Sequence, residues 1–320
     1  MLTSKTPFRV SFAGGMTDIP AFYRTEPGAV LSATINRYMY VFVNRRFEDG
    51  YRCSYSEVET VQRVPEIRND IIREALLEFT PGFVDVSSLA DIPQASGLGS
   101  SCSYAVGLVN ALALLCVKEM TREEIAETAC RLEMERLGRN IGKQDQYAAA
   151  FGGMNLIEFH PDESVNVIPV RADRETVDEL NRSLMLVYLG GKTKRSEEII
   201  ATYDFEGERE TLGEMRDLAY EMKDVLEHCQ TLSDFGLLLG EEWGLKKRIS
   251  PEVSTPEIDE VYQRALGAGA LSGKICGAGQ NGFLLLFVEG VNRDKVRKAL
   301  FPLREIPFRF EWGGSRVYVE

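Results

Sequence analysis

A two-domain α+β fold is what this chain predicts, on three observations. Its 320 residues correspond to two domains at roughly 100 to 200 residues each. Helical and alternating apolar segments follow one another without the regular strand-helix alternation of a doubly wound sheet. A polar stretch, 160–164, and a charged one, 171–175, interrupt the pattern midway and put a boundary near 172, dividing the chain into 1–172 and 173–320.

The elements follow in order. Phe8, Val10 and Phe12 alternate up to the Gly14-Gly15 pair, as a half-buried strand ending in a turn does. A second strand is expected at 38–43, a helix over 69–79 from the spacing of Ile71, Ile72, Ala75, Leu76 and Phe79, and an extended segment at 84–90 before Pro93. The glycine-serine loop 96–101 leads into a long apolar helix beginning near Ser103. Its most apolar run, 104–117, is shorter than the roughly 20 residues of a membrane span and contains Asn110, so it predicts a buried helix and no membrane partner. Thr121 and Glu124 make a capping box for a helix with the stripe Ile125, Ala129 and Leu132, ending near Gly138, and a strand is expected at 154–159. The second half opens with a strand at 184–189 and continues with helices over 196–203, 211–229 and 233–247. A further helix starts at Thr255-Pro256, with proline at its first position. Glycine-rich 273–282, a strand at 283–288 and extended segments at 308–311 and 316–319 close the chain.

Composition removes whole classes of function. At 44% apolar and 27% charged the chain is an ordinary globular one, not a disordered, collagen-like or disulfide-scaffold sequence. The 37 Lys and Arg against 49 Asp and Glu leave a net charge of −12, which argues against nucleic acid or anionic lipid as partner and leaves room for a local anion site. Cysteines at 53, 102, 116, 130, 229 and 276 lack the paired spacing of zinc or redox motifs and read as buried thiols in a reducing compartment. The amino terminus has no apolar run with a cleavage site, so the expected location is cytoplasmic. With only His160 and His228, both outside glycine-rich or acidic clusters, catalysis falls to carboxylates.

Several fragments imitate well-known motifs in the wrong setting. Gly191-Lys192-Thr193 resembles the end of a P-loop, but Leu186 stands where its first glycine belongs. Gly277, Gly279 and Gly282 satisfy the dinucleotide spacing, yet a strand follows where a helix should. Asp234-Phe235-Gly236 has no His-Arg-Asp partner.

Four constellations carry chemistry. Ser96 to Ser101 ahead of an apolar helix suits an anion, because helix N-termini present free N–H groups and glycine admits close approach; serine caps in a plain turn are the bland alternative. Glu133, Glu135 and the segment Gly142 to Gln146 gather the carboxylates and the cation, Lys143, that phosphoryl transfer needs, or are solvated helix charges and a surface cation; each glutamate flanks the apolar stripe, so helical geometry does not choose between them. Arg9 to Asp18 delivers a glycine turn and then a carboxylate able to accept paired sugar hydroxyls, or to form an Asx turn. Lys274 to Gly282 brings backbone close to a ligand, or simply enters a strand.

In this order the four stretches resemble the GHMP kinase superfamily, named for galactokinase, homoserine, mevalonate and phosphomevalonate kinases. Phe12 to Asp18, Ala29 to Asn36, Gly142 to Tyr147 and Ser254 to Asp259 are similar to its branch of sugar 1-kinases acting on D-glycero-D-manno-heptose 7-phosphate. The resemblance implies a ribosomal-S5-type N-terminal domain and a ferredoxin-like C-terminal domain. It also implies ATP, Mg²⁺ and a small-molecule sugar or sugar phosphate in the cleft between them. It implies a nucleotide site from Pro93, Ser96, Gly97, Leu98, Gly99, Ser100 and Ser101, with Ser101 and Glu133 as Mg²⁺ ligands. Asp145 matches the catalytic base and Arg9 the cation beside it, with Lys143 as a further cation; Gly14, Gly15, Thr17 and Asp18 match the sugar loop, and Gly277 and Gly279 the third motif. Lys192, Thr193 and Arg195, in a segment similar to that branch's Thr-Gly-rich turn, are expected as partners for a substrate 7-phosphate, with a solvated basic turn as the bland alternative. The chain departs from the family at Gln280-Asn281, where glycines are usual, and at Met16, which replaces a third glycine. The alternatives are another sugar 1-kinase of fucose or hexose type, a non-catalytic sugar sensor, and a decarboxylase of mevalonate-diphosphate type.

Overall fold

In chain order the elements are β1 (Leu2–Ala13), α1 (Pro20–Tyr23), β2 (Gly28–Arg45), β3 (Tyr51–Ser54), β4 (Val58–Val61), α2 (Asp70–Phe79), β5 (Val84–Ala90) and α3 (Ser100–Leu115). They continue with α4 (Arg122–Cys130), α5 (Gln144–Phe151), β6 (Met154–Phe159), β7 (Val165–Pro169), α6 (Arg174–Ser183), β8 (Leu184–Gly190) and α7 (Ser196–Ile200). The remainder are α8 (Arg209–His228), α9 (Ser233–Ile249), α10 (Pro256–Gly267), β9 (Ser272–Ile275), β10 (Gly282–Phe287), α11 (Arg293–Leu300), β11 (Arg304–Glu305) and β12 (Arg316–Val319). This computed structural model describes residues 1–93, 96–190, 196–228 and 231–319.

The strands form two sheets. The first runs β12-β1-β2-β5-β3-β4, with β6 and β7 joined to it through β2; the second runs β11-β8-β10-β9. β1 and β2 pair antiparallel from Leu2 opposite Val43 to Ala13 opposite Leu31. On its other edge the long β2 is shared: 28–33 pair with β6 and 39–45 with β5. The gap at 34–36 is filled by the chain's late segment, through Asn36 N–H to Arg309 O at 2.8 Å and Glu311 N–H to Thr34 O at 2.9 Å. The segment expected to be extended at 308–311 is therefore no strand but a wedge with a single bridge, Ile35 to Phe310. The segment at 316–319 is a strand, on the outer edge of β1.

Local signals define the helix ends. Asn69 caps α2 by accepting from Ile72 N–H at 3.0 Å, and Thr121 and Glu124 form the reciprocal box of α4. Thr255 caps α10 with Pro256 at its first position. The buried apolar helix α3 starts at Ser100, three residues before the expected start, and its N-cap is Gly99 at φ +76° with no side-chain cap. Ser100 and Ser101 thus lie inside the first turn and do not cap it. Two strands begin earlier than the apolar alternation suggests, β1 at Leu2 and β2 at Gly28. The expected helix at 196–203 ends at Ile200.

The halves pack through an apolar seam. Phe12 of β1 meets Phe235 of α9 edge to face at 5.2 Å, and Phe235 contacts Phe287 of β10. α8 also packs on β1, β2 and β6. Both sheets are therefore anchored to one core, and the groove they leave is walled by both. The five described cysteines are free, four of them buried.

Candidate active site

One large cleft, about 530 Å³, opens between the sheets. It is lined by Arg9, Gly15, Asp18, Gly97, Gly99, Ser100, Ser101, Glu133, Asp145 and Gly277, residues that four separate stretches of sequence singled out.

At its centre Arg9 Nε donates to Asp145 Oδ1 at 2.7 Å, and Arg9 Nη1 donates to Gly97 O at 2.7 Å. The guanidinium is buried, so this pair fixes the Asp145 carboxylate against the glycine loop. Asp145 lies in the first turn of α5, where the helix dipole favours negative charge. Its neighbour Gln144 grips Asp18, through its backbone N–H at 3.1 Å and its side-chain amide at 3.0 Å. Asp18 also accepts the Met16 N–H at 3.0 Å, and Gly142 is required because a Cβ there would overlap the Asp18 carboxylate. Burial pushes the Asp18 carboxyl up to about 6, against the lowering hydrogen bond from Gln144 N–H; the charge of Asp145 adds to the rise. Met16 takes its place in this loop with a left-handed φ of +78°, a conformation that glycine adopts freely and a side chain resists.

The two glutamates that helical periodicity leaves equivalent separate clearly. α4 runs on into a π-helical turn over Arg131–Arg136. The wider turn puts Glu133 fully inside, accepting from Ser101 Oγ at 3.1 Å, Gln146 Nε2 at 2.9 Å and Arg139 Nη1 at 2.9 Å, whereas Glu135 is exposed. Burial raises the Glu133 pKa, with Arg139 opposing. Arg139, which sequence reasoning passed over, also donates to Ser101 Oγ at 3.2 Å and to both oxygens of Asp70.

Other expected site residues sit elsewhere. Lys143 turns away from the cleft; its ammonium pairs with Glu163 at 3.1 Å and lies over the Tyr23 ring, because it precedes α5 on the side opposite Asp145. Leu98 and Ser96 are buried under the loop, and Pro93 lines a separate cavity with Tyr188 and Phe283. Thr17 gives its hydroxyl to Gly14 O at 2.7 Å and Ala29 O at 3.1 Å, so it and Gly14 shape the loop without lining the cleft. Gly279 packs on Val253, and Gln280 beside it takes φ +68°. Lys192, Thr193 and Arg195 lie outside the described residues. Missing from the sequence reading were Glu242 and Lys246 of α9 and the Lys274 side chain of β9, all cleft-lining and almost fully buried. Their only signal is a Glu-Lys pair four apart, which on a helix normally reads as a surface ion pair.

Known proteins match both halves. Residues 67–153 match the GHMP kinases N terminal domain and residues 219–302 the GHMP kinases C terminal domain. A D-glycero-alpha-D-manno-heptose 7-phosphate kinase of Campylobacter jejuni is 33% identical, over 93% of this chain and 93% of its own. The crystal structure of a D-glycero-D-manno-heptose 1-phosphate kinase from Bacteroides thetaiotaomicron aligns with a TM-score of 0.82 at 26% identity, covering 100% of this chain and 99% of that one. A galactokinase of Lactococcus lactis shares the fold alone, at a TM-score of 0.77 and 19% identity over 98% and 95% of the two chains. Fold and cleft together define a small-molecule kinase. The chain belongs to the GHMP kinases, and as a kinase it takes its phosphoryl group from ATP.

Proposed function

We propose that this kinase transfers the γ-phosphoryl group of ATP to the anomeric hydroxyl of D-glycero-D-manno-heptose 7-phosphate. The observation that carries the reading is the coupling of Asp18 to Asp145 through Gln144 in one cleft, in a chain similar over 93% of its length to a heptose 7-phosphate kinase. Asp18 accepts a pair of sugar hydroxyls and thereby fixes the ring. Asp145 accepts the proton of the attacking hydroxyl, and Arg9 holds its carboxylate in place and sets positive charge beside the transferred group. The uncapped first turn of α3, with Gly97 and Gly99 ahead of it, receives the ATP phosphates on backbone N–H groups. Tyr55, Ile71 and Tyr104 give the same cleft apolar and aromatic surface for the base.

Ser101 and Glu133 would hold Mg²⁺. The fit is chemical: a hydroxyl and a buried carboxylate 3.1 Å apart are hard oxygen donors, and Mg²⁺ typically takes only one or two protein ligands beside phosphates and water. Among the described residues no group of three or more His, Cys, Asp or Glu competes as a metal cage. When bound, the ion neutralises charge on the β- and γ-phosphates. Arg139 donates to both of these side chains and offsets the charge of Glu133.

We read 1–172 and 173–320 as the two domains, with β12 returning to the first sheet. A cytoplasmic enzyme fits this reading; no helix of the described residues is long and apolar enough to cross a membrane. The test is ADP release with Mg²⁺-ATP across heptose 7-phosphate, mannose, fucose, galactose and mevalonate, with phosphorus NMR of the product. Heptose-selective turnover with a new anomeric phosphate is expected. Preference for an unphosphorylated sugar overturns the substrate and keeps the mechanism.

A further inference from the structure

The other cations lining this cleft come with carboxylates. Arg9 has Asp145 at 2.7 Å, Arg139 has Asp70 at 2.8 Å and Glu133 at 2.9 Å, and Lys274 has Glu242 at 3.0 Å. Lys246 is the exception. The residue is 5% exposed and lines the cleft, and its ammonium donates to the carbonyl oxygens of Gly277 and, at 3.4 Å, Ile275. Among the described residues no carboxylate lies within ion-pairing distance of it. Glu242, one helical turn earlier, is committed to Lys274 through Oε1, and its buried Oε2 has no hydrogen-bond partner. Lys274 is in turn tied to Phe12 O at 2.8 Å.

Arg9 and Lys274 thus hold Asp145 and Glu242, and Lys246 beside them is left with backbone carbonyls alone in a nearly dry part of the wall. A buried charge without a counter-ion is costly, and a fold that needed only packing here would use an apolar side chain of the same length. The lysine stands against Gly277, whose backbone abuts Gly97 of the phosphate loop.

We propose that Lys246 is an anion-binding residue of the cleft, its missing partner a phosphate group of a substrate, with Glu242 and Lys274 holding the ammonium in position. The inference rests on the kinase reading above. Two phosphates enter such a cleft, the terminal phosphate of ATP and the distal phosphate of a sugar phosphate. They offer the same oxygens, and the experiment separates them. Burial, with Lys274 alongside and Arg9 adding to it, draws Lys246 down to about 7, against the raising influence of Glu242 and Cys276. An arriving dianion restores the proton.

The test is calorimetric titration of wild type, Lys246→Met and Lys246→Arg. The probes are heptose 7-phosphate, heptose without phosphate, and a non-hydrolysable ATP analogue with Mg²⁺. Lys246→Met should lose roughly tenfold or more in affinity for one phosphate-bearing probe, as expected for one charge-assisted hydrogen bond, and stay within about twofold for heptose; Lys246→Arg should recover part of the loss. Loss confined to the sugar phosphate assigns the acceptor's phosphate, and loss confined to the analogue assigns the nucleotide's. Unchanged affinity for both overturns the proposal. Should Lys246→Met not fold, Lys246→Gln, which keeps a polar head and removes the charge, is titrated in its place, and unchanged affinity for both phosphate-bearing probes overturns the proposal equally. A wild type that binds the analogue but not heptose 7-phosphate refutes the substrate reading, and the analogue alone then judges Lys246.

Discussion

Gly97 and Gly277 meet backbone to backbone. A Cβ on Gly277 would lie 2.5 Å from the Gly97 Cα, and one on Gly97 would overlap the carbonyl oxygen of Cys276. Gly282 stands in the same relation to Ser96. The loop that opens α3 and the loop between β9 and β10 are therefore closed on each other, and Arg9 ties the contact to β1 through Gly97 O. The junction of the two sheets and the anion-binding turn are one piece of structure.

Gly277→Ala tests that junction. Gly277 has a φ of +68°, so alanine meets both strain and overlap, and the expected cost is about 1–3 kcal/mol of stability with a raised KM for ATP. Thermal melting and steady-state kinetics measure the two effects together. A variant with wild-type Tm and KM would show that the loops separate at no cost.

Asp145→Asn keeps the shape of the side chain and removes its basicity. Turnover should fall by roughly 10²- to 10⁴-fold while affinity for an ATP analogue stays within about twofold. Near-normal turnover would refute Asp145 as the base.

Asp18 predicts an acid limb. Its carboxyl must be ionised to accept sugar hydroxyls and is pushed up to about 6, so kcat/KM for the sugar should decline as pH falls through 6. In Asp18→Asn that limb should vanish from an already lower profile. The stability effect has the opposite sense. A carboxyl raised in the folded chain from an ordinary value near 4 binds its proton more tightly there, so its contribution is full at low pH and is lost as pH rises from about 4 to 6. Melting curves of wild type and Asp18→Asn across pH 4 to 7 should converge on the acid side by that difference.

Lys143→Met separates packing from catalysis. The ammonium sits with Glu163, which is 43% exposed, and points away from Asp145, so kcat should stay within a few-fold while stability drops by about 1 kcal/mol. A loss of turnover beyond 10²-fold at unchanged Tm would return Lys143 to the reacting centre.

Some features whose partners lie within four residues are legible in the sequence. The capping box of Thr121 with Glu124 and the helix start at Thr255 with Pro256 are interactions along one turn, and both are where spacing puts them, whereas Asn69, expected as the first residue of its helix, proves to be the cap before it. The glycine stretches were legible too, because a left-handed φ and a close approach have no other common solution. Where two distant stretches meet, the reading fell short. Segment 308–311 alternates like a strand, but β2 offers it only the short gap between β5 and β6.

By itself the sequence determined the α+β class and, through the order of its motifs, the family, and it singled out Arg9, Asp18 and Asp145 as candidates while leaving Glu133 and Glu135 equivalent on the helix. Only the tertiary structure decided which charges face one another. A π-helical turn put Glu133 inside and Glu135 outside, although a regular helix treats them alike. Packing turned Lys143 outward toward Glu163 and drew Glu242, Lys246 and Lys274 into the cleft wall. The reason is that burial and ion pairing depend on distances between segments far apart in the chain, such as the 32 residues separating Glu242 from Lys274, and no local period encodes them.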